Sequence, residues 1–331
     1  MRTRPRIRTR RIVLAVVLAL VAAVVILNWT WARLPGEPPR TGRMVRLGDM
    51  NVRVLEHPGR GRAVVLLHGL PGTADDFDAV AARLPGIHTI AFDRPGFGWS
   101  SGGYHPLARQ LATIDRLLAR LGVHGPVVLV GHSYGGTLAL AYAEEHPANV
   151  AGLVLVDAAA AGQHSTFVER AQSRLVQALS WPVVQPLADV TFSQLVRTVS
   201  AKQGDAQAFD PDPVDPAHEH CLLALNMQHD DLDAYAGEQL HADGVIAGID
   251  ARLTTLATPA IVIQGAHDEL VAPSRGRRLA ALLPHARLAM LSGGHMQPYV
   301  HPGVVAAAIR ALLSSPGTTS AAASRRTRAR G

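Results

Sequence analysis

The chain alternates between short unbroken apolar runs and longer segments whose apolar residues recur every three or four positions. The runs Ala63–Leu67, Ile87–Phe92, Val127–Val130, Leu153–Val156, Ala260–Gln264 and Arg287–Leu291 lack the strict alternation of a strand with one wet face. Continuous apolarity over so few residues is the pattern of strands covered on both sides, which predicts a mostly parallel, twisted sheet with helices on both faces. Met44–Leu47 and Asn51–Glu56, separated by Gly48-Asp49, read as an opening pair of strands joined by a turn. Helical periodicity fills the gaps at Ala74–Leu84, Pro106–Leu121, Thr137–Glu145, Pro273–Leu283 and Val304–Leu313. The alternation breaks once, between Ala159 and Arg252, where His, Gln and Asp increase and Asp210-Pro211-Asp212-Pro213 interrupts. That interval predicts a helical cap, about residues 160–252, inserted after the sixth strand. It would lie over the C-terminal strand ends, where open α/β sheets place their ligands.

The ends differ from the body. Ile12 to Leu27 is an apolar run of sixteen residues behind a basic block at residues 1–11, with Trp29 and Trp31 beyond it. Basic residues on one side and aromatic residues on the other predict a transmembrane signal-anchor helix over residues 12–34. The chain would then be a single-pass membrane protein with its main domain on the extracytoplasmic side, or an exported one after signal cleavage. Residues 35–43 (PGEPPRTGR) are a linker too rich in proline for a helix, 44–313 form the domain, and 314–331 read as a disordered basic tail. The net charge of +6 comes from these ends: six arginines in residues 1–11 and four after Ser324 leave the body near −4. The basic excess therefore speaks against nucleic acid as a partner. One cysteine, Cys221, excludes an internal disulfide framework and any multi-cysteine metal site.

Four segments at strand ends carry the candidate chemistry. Gly131-His132-Ser133-Tyr134-Gly135 follows the run Val127–Val130 and places a serine on a strand-to-helix turn, where flanking glycines let two backbones pass closely. His68-Gly69-Leu70-Pro71-Gly72 follows Ala63–Leu67, so the amides of Leu70 and Tyr134 are candidate donors of an oxyanion hole. Gly265-Ala266-His267-Asp268-Glu269 supplies Asp268 as an acid able to orient an imidazole, with Asp157 after Leu153–Val156 as the alternative. Ser292-Gly293-Gly294-His295 supplies His295 as the base. Trp99, Phe167 and Trp181 are candidate substrate-binding residues, and His218-Glu219-His220-Cys221 with His229 reads as a polar helix face rather than a metal site.

In this order these motifs make residues Met44 to Leu313 resemble the α/β-hydrolase fold superfamily. Asp93-Arg94-Pro95-Gly96-Phe97-Gly98-Trp99-Ser100 resembles the D-x-P-G-x-G-x-S segment of its capped branch, which holds epoxide hydrolases, haloalkane dehalogenases, cofactor-free haloperoxidases and many esterases. The resemblance implies a serine hydrolase with nucleophile Ser133, acid Asp268 and base His295, needing no cofactor or metal. Epoxide hydrolases and haloalkane dehalogenases carry aspartate at the elbow, because a carboxylate must attack an sp³ carbon. Serine here points to a carbonyl, most simply a small-molecule carboxylic ester. Alternatives with the same triad are C–C bond or amide hydrolysis and cofactor-free perhydrolysis. A membrane-tethered binding protein retaining the fold is the non-enzyme alternative.

Overall fold

A computed structural model of the chain describes residues 5–31, 36, 40–179, 193–225 and 229–314. Eight strands form one sheet: β1 Arg43–Leu47, β2 Met50–His57, β3 Arg60–Leu67, β4 Ile87–Phe92, β5 Val127–His132, β6 Val150–Val156, β7 Ala260–Gly265 and β8 Ala286–Leu291. Their spatial order is β1-β2-β4-β3-β5-β6-β7-β8, with β2 antiparallel to both neighbours and β3 to β8 parallel. The helices among the described residues are α1 Pro5–Trp31, α2 Asp78–Ala81, α3 Leu107–Arg120, α4 Tyr134–Glu145, α5 Phe167–Leu179, α6 Ser193–Phe209, α7 Pro216–Ala224, α8 His229–Asp250, α9 Pro273–Leu282, α10 Gln297–Val300 and α11 Pro302–Leu313.

Alternate residues of the central strands enter two separate cores. Val65, Leu67, Leu129, Leu153, Leu155 and Val262 pack with α3, α4 and α9 on one face. Val64, Leu66, Val128, Val130, Val154 and Val156 pack with α2 and α11 on the other. Because side chains alternate across a strand, covering both faces requires every position to be apolar, which accounts for the unbroken runs. The segment Ala74–Leu84 is shorter in helix than its periodicity suggests: a 3₁₀ turn at Ala74–Phe77 precedes the single turn α2. Its apolar residues Phe77, Val80 and Leu84 are buried all the same.

The interval between β6 and β7 holds α5 to α8 and sits on the C-terminal edge of the sheet. Carboxylates along α8 fasten it there. Asp231 accepts from the Gly98 amide (2.7 Å) and Asp233 from Tyr104 (2.9 Å), while Asp243 accepts from Ser165 (2.7 Å) and Asp250 from Ala161 (2.8 Å), tying α8 to the start of the insertion.

The expected membrane anchor is corrected. Among the described residues no helix is long and apolar enough to cross a membrane, so neither a single-pass topology nor membrane tethering is supported. The reason is length: sixteen apolar residues rise about 24 Å as a helix, short of a hydrocarbon core about 30 Å thick. The tail assigned to 314–331 lies outside the described residues apart from Ser314, as do residues 35 and 37–39 of the 35–43 linker.

Two loops at the sheet edge are joined by a buried carboxylate. Asp93 accepts from the Ala74 amide (2.8 Å) and the Trp99 amide (2.8 Å), and its oxygens lie 3.2 and 3.3 Å from the buried Arg53 guanidinium. Burial outweighs these partners and pushes its pKa up to about 6. Asp93→Ala leaves two amides without an acceptor and should cost at least about 2 kcal/mol, at roughly 1–3 kcal/mol for each stranded group. Urea unfolding of the two proteins measures this.

Candidate active site

Ser133 stands between β5 and α4 at φ 51° and ψ −120°, a conformation that L-residues avoid. The turn is held on several sides. The Ser133 amide donates to the Val156 carbonyl (2.9 Å), and the Ser133 carbonyl accepts from Gly136 (2.9 Å) and Ala159 (3.1 Å). Space explains the glycines. A Cβ on Gly131 would run into the Gly135 carbonyl, and one on Gly135 would overlap the carbonyl oxygen of Leu67 at the end of β3. The helix can therefore start directly over the neighbouring strand, and Ser133 is left half-buried at the sheet edge.

The same close approach brings the β3 loop to the serine. A Cβ on Gly69 would lie 3.2 Å from Ser133 Cβ and 3.1 Å from His132 Nδ1, so the Gly69 backbone passes at van der Waals distance. The next amide belongs to Leu70, and it has no hydrogen-bond partner among the described residues. The Tyr134 amide is the first of α4, where helical geometry offers no acceptor. Two free donors thus flank Ser133 on adjacent loops.

His295 lies on the loop between β8 and α10, and its Nδ1 is 2.8 Å from Asp268 Oδ2. Asp268 is ringed by donors: Oδ1 accepts from the amides of Leu270 (2.9 Å) and Val271 (2.8 Å), and Oδ2 also accepts from Gln264 Nε2 (3.0 Å). Burial raises its pKa, but the charge and hydrogen bond of His295 and these amides outweigh it, and the net shift is downward. An ionised Asp268 makes Nδ1 the protonated nitrogen and leaves the His295 Nε2 lone pair free. The His295 ring packs with centroids 4.8 Å from that of His132, the residue before Ser133.

Asp157, the alternative acid, is engaged elsewhere. Its Oδ1 accepts from the Gly265 amide (2.7 Å) and Gln264 Nε2 (3.2 Å). Full burial, then the charge of Asp268, push its pKa well above the usual carboxylate range. The surroundings thus shift the two carboxyls in opposite directions, Asp157 upward and Asp268 downward. His132, Asp157 and His295 offer donor atoms within 4.8 Å of one another, the pattern of a metal cluster. His295 pairs with Asp268, and His132 Nε2 donates to the His295 carbonyl (2.9 Å) while its Nδ1 is buried without a hydrogen-bond partner among the described residues.

Other sequence candidates fall differently. Phe167, the first residue of α5, is 78% exposed, so it lines no pocket. Trp181 lies outside the described residues. Trp99 is half-buried beneath the Arg40 guanidinium, 5.9 Å from its ring centre. His218, read as part of a polar face, is buried with Nε2 3.2 Å from Asp205 and Nδ1 3.6 Å from Asp76, because α7 turns that side onto the body. Arg94 and Glu238 were not legible as site residues, although both are buried beside the Gly69 loop. Arg94 sits within the D-x-P-G segment, but nothing local marks Glu238 as its partner.

A family model described as alpha/beta hydrolase fold matches residues 62–302. The chain is 26% identical over 257 residues to Lipase 1 of Psychrobacter immobilis, covering 75% of this chain and 76% of that protein. It is 28% identical over 268 residues to the poly(3-hydroxyalkanoate) depolymerase of Ectopseudomonas oleovorans, covering 78% and 87%. A thermophilic esterase from Thermogutta terrifontis superposes with a TM-score of 0.63 at 21% identity, covering 80% of this chain and 93% of that one.

The His132 ring predicts an acid-sensitive fold. Burial, then the nearby His295, lower its pKa from 6.5 to about 3, so the folded protein holds it neutral where the unfolded chain protonates it. Its contribution is fully present above pH 6.5 and is lost as pH falls toward 3, at about 1.4 kcal/mol per pH unit. His132→Gln should flatten the fall of stability between pH 6.5 and 4 by close to one proton, read from urea midpoints across that range.

Proposed function

The chain belongs to the alpha/beta hydrolase fold family, and from that premise we propose that it cleaves small-molecule carboxylic esters through Ser133, His295 and Asp268 by way of an acyl-enzyme. The observation that carries this reading is the 2.8 Å pairing of His295 Nδ1 with a buried, donor-ringed Asp268, on a loop packed against the Ser133 turn. A fold with no use for a base gains nothing from a charged carboxylate held under an imidazole.

In the proposed reaction His295 Nε2 takes the Ser133 proton as Oγ attacks the ester carbonyl carbon. The carbonyl oxygen becomes an oxyanion and rests on the amides of Leu70 and Tyr134. These donors are in place before charge develops, so they stabilise the transition state more than the neutral ester. His295 then gives its proton to the departing alkoxide, leaving an acyl-serine. Water attacks that ester as His295 takes one of its protons, and the second tetrahedral species collapses to the acid as His295 returns that proton to Ser133 Oγ. Asp268 keeps Nδ1 protonated throughout and stabilises the imidazolium without taking the proton.

Ester chemistry is preferred because serine stands at the elbow, suited to an sp² carbonyl. The named activities of a lipase, a depolymerase and an esterase among the relatives point the same way. Asp157, engaged by the Gly265 amide and Gln264 and pushed upward in pKa by burial, suits a supporting place rather than that of the triad acid.

Incubation with a fluorophosphonate should label Ser133 stoichiometrically, and Ser133→Ala should neither label nor turn over p-nitrophenyl butyrate. Asp268→Asn should lower kcat by about 10⁴, as the wrong tautomer does in other triads, with Asp157→Asn far milder. Equal labelling of wild type and Ser133→Ala, or a larger loss from Asp157→Asn than from Asp268→Asn, would overturn these assignments.

A further inference from the structure

The Gly69 carbonyl and the Leu70 amide belong to one peptide unit. That unit is trans, so the C=O and N–H point in opposite directions and cannot be aimed independently. Whatever grips the Gly69 oxygen therefore sets where the Leu70 N–H points. The grip is Arg94: Nη2 donates to the Gly69 oxygen at 2.7 Å and Nε to the His68 oxygen at 3.2 Å, two bonds from one rigid fork to successive carbonyls. His68 adds to it. Its Nδ1 donates to the Gly69 oxygen (3.0 Å) and its Nε2 accepts from the Arg94 amide (2.8 Å).

Arg94 is in turn held from the inserted helices. Its Nη1 pairs with the Glu238 carboxylate on α8 and donates to Gln110 Oε1 at 3.2 Å, with both ion-pair partners buried. Its guanidinium lies 4.6 Å from the ring centre of Phe97 and 5.4 Å from that of Tyr134, the residue that carries the other free amide. A buried charge needs its partner, and Glu238 is the carboxylate paired with this guanidinium. The chain of contacts therefore runs from the cap helix through one side chain to the peptide that faces Ser133.

We propose that Arg94 is a positioning residue for the Leu70 amide and that Glu238, reaching down from α8, fixes Arg94, so that seating of the inserted helices on the body sets the oxyanion-binding geometry. This rests on the reading of Ser133 as a nucleophile with the Leu70 amide as an oxyanion donor. The pair acts on the transition state and not on the resting ester. Its loss lowers kcat and weakens tetrahedral adducts while leaving KM nearly unchanged.

The test uses the full chain with Glu238→Gln, Arg94→Lys and the double variant Glu238→Leu/Arg94→Met, whose apolar pair removes both charges and keeps the volume filled. Each protein is titrated to its end point with a fluorophosphonate. Then kcat per titrated site, KM for p-nitrophenyl butyrate and Ki for a trifluoromethyl ketone are measured, the last forming an oxyanion-bearing adduct with the serine. All three variants should lose about tenfold or more in kcat per site, short of the roughly 10²–10³ for deleting a donor outright. KM should stay within threefold, and Ki should rise by the same factor as kcat falls. A purely structural role would reduce the titratable fraction or the melting temperature and leave kcat per site within twofold of wild type; that result overturns the proposal. A wild type that turns over but does not titrate at Ser133 would instead overturn the nucleophile reading, and this inference with it.

Discussion

The turn after β5 is the constraint on which the site depends. Holding Ser133 at φ 51° and ψ −120° costs on the order of 1–3 kcal/mol, and such strain persists only where the surroundings over-determine it. Here β5 is locked between β3 and β6, and α4 is buried along most of its length against the sheet. The strain is offset by apolar burial on both faces, which a lone hairpin or an edge strand could not supply. Gly131 and Gly135 make the turn sterically possible. Gly135 also sets the distance between α4 and β3, and so decides that the β3 loop borders the serine.

A buried polar framework surrounds that turn. His68, Asp93 and Arg94 spend their hydrogen bonds on loop backbone, replacing the water that buried carbonyls and amides would otherwise need. Burial drives His68 well below its ordinary pKa, so its ring donates from one nitrogen and accepts at the other. A charged imidazole could not accept the Arg94 amide. The framework continues into α8 through Asp231, Asp233 and Glu238, so the inserted helices and the edge that carries Ser133 form one packed unit. The Ala208 carbonyl of α6 accepts from the His295 amide at 2.8 Å, which ties the same insertion to the His295 loop.

Much of this was legible because local rules and tertiary demands agreed. The central strands β3, β5 and β6 declared themselves as apolar runs, since burial on two faces disfavours polar positions, and the glycines of the elbow mark a close approach that only they permit. Other features have no local trace. Phe167 looked like a pocket residue because an aromatic in an amphipathic segment reads as inward, yet which side of α5 meets the body is a packing outcome. His218 erred the other way: a polar cluster reads as wet, but α7 presses one of its histidines between two aspartates. The apolar N-terminal run shared its composition with a membrane span but not its length.

By itself the amino-acid sequence determined the sheet, the order of its loops, and the presence of serine, aspartate and histidine at successive strand ends, because side-chain periodicity and turn chemistry are local properties. Tertiary structure alone decided which carboxylate meets His295. Asp157 and Asp268 both follow strands of that sheet and share Gln264, yet Asp268 takes the imidazole while Asp157 accepts from the Gly265 amide. It also decided that Glu238, far along the chain in a helix with no motif, would hold Arg94 and through it the Gly69 peptide. Such pairings depend on where separate elements come to rest against one another, and no run of neighbouring residues encodes that distance.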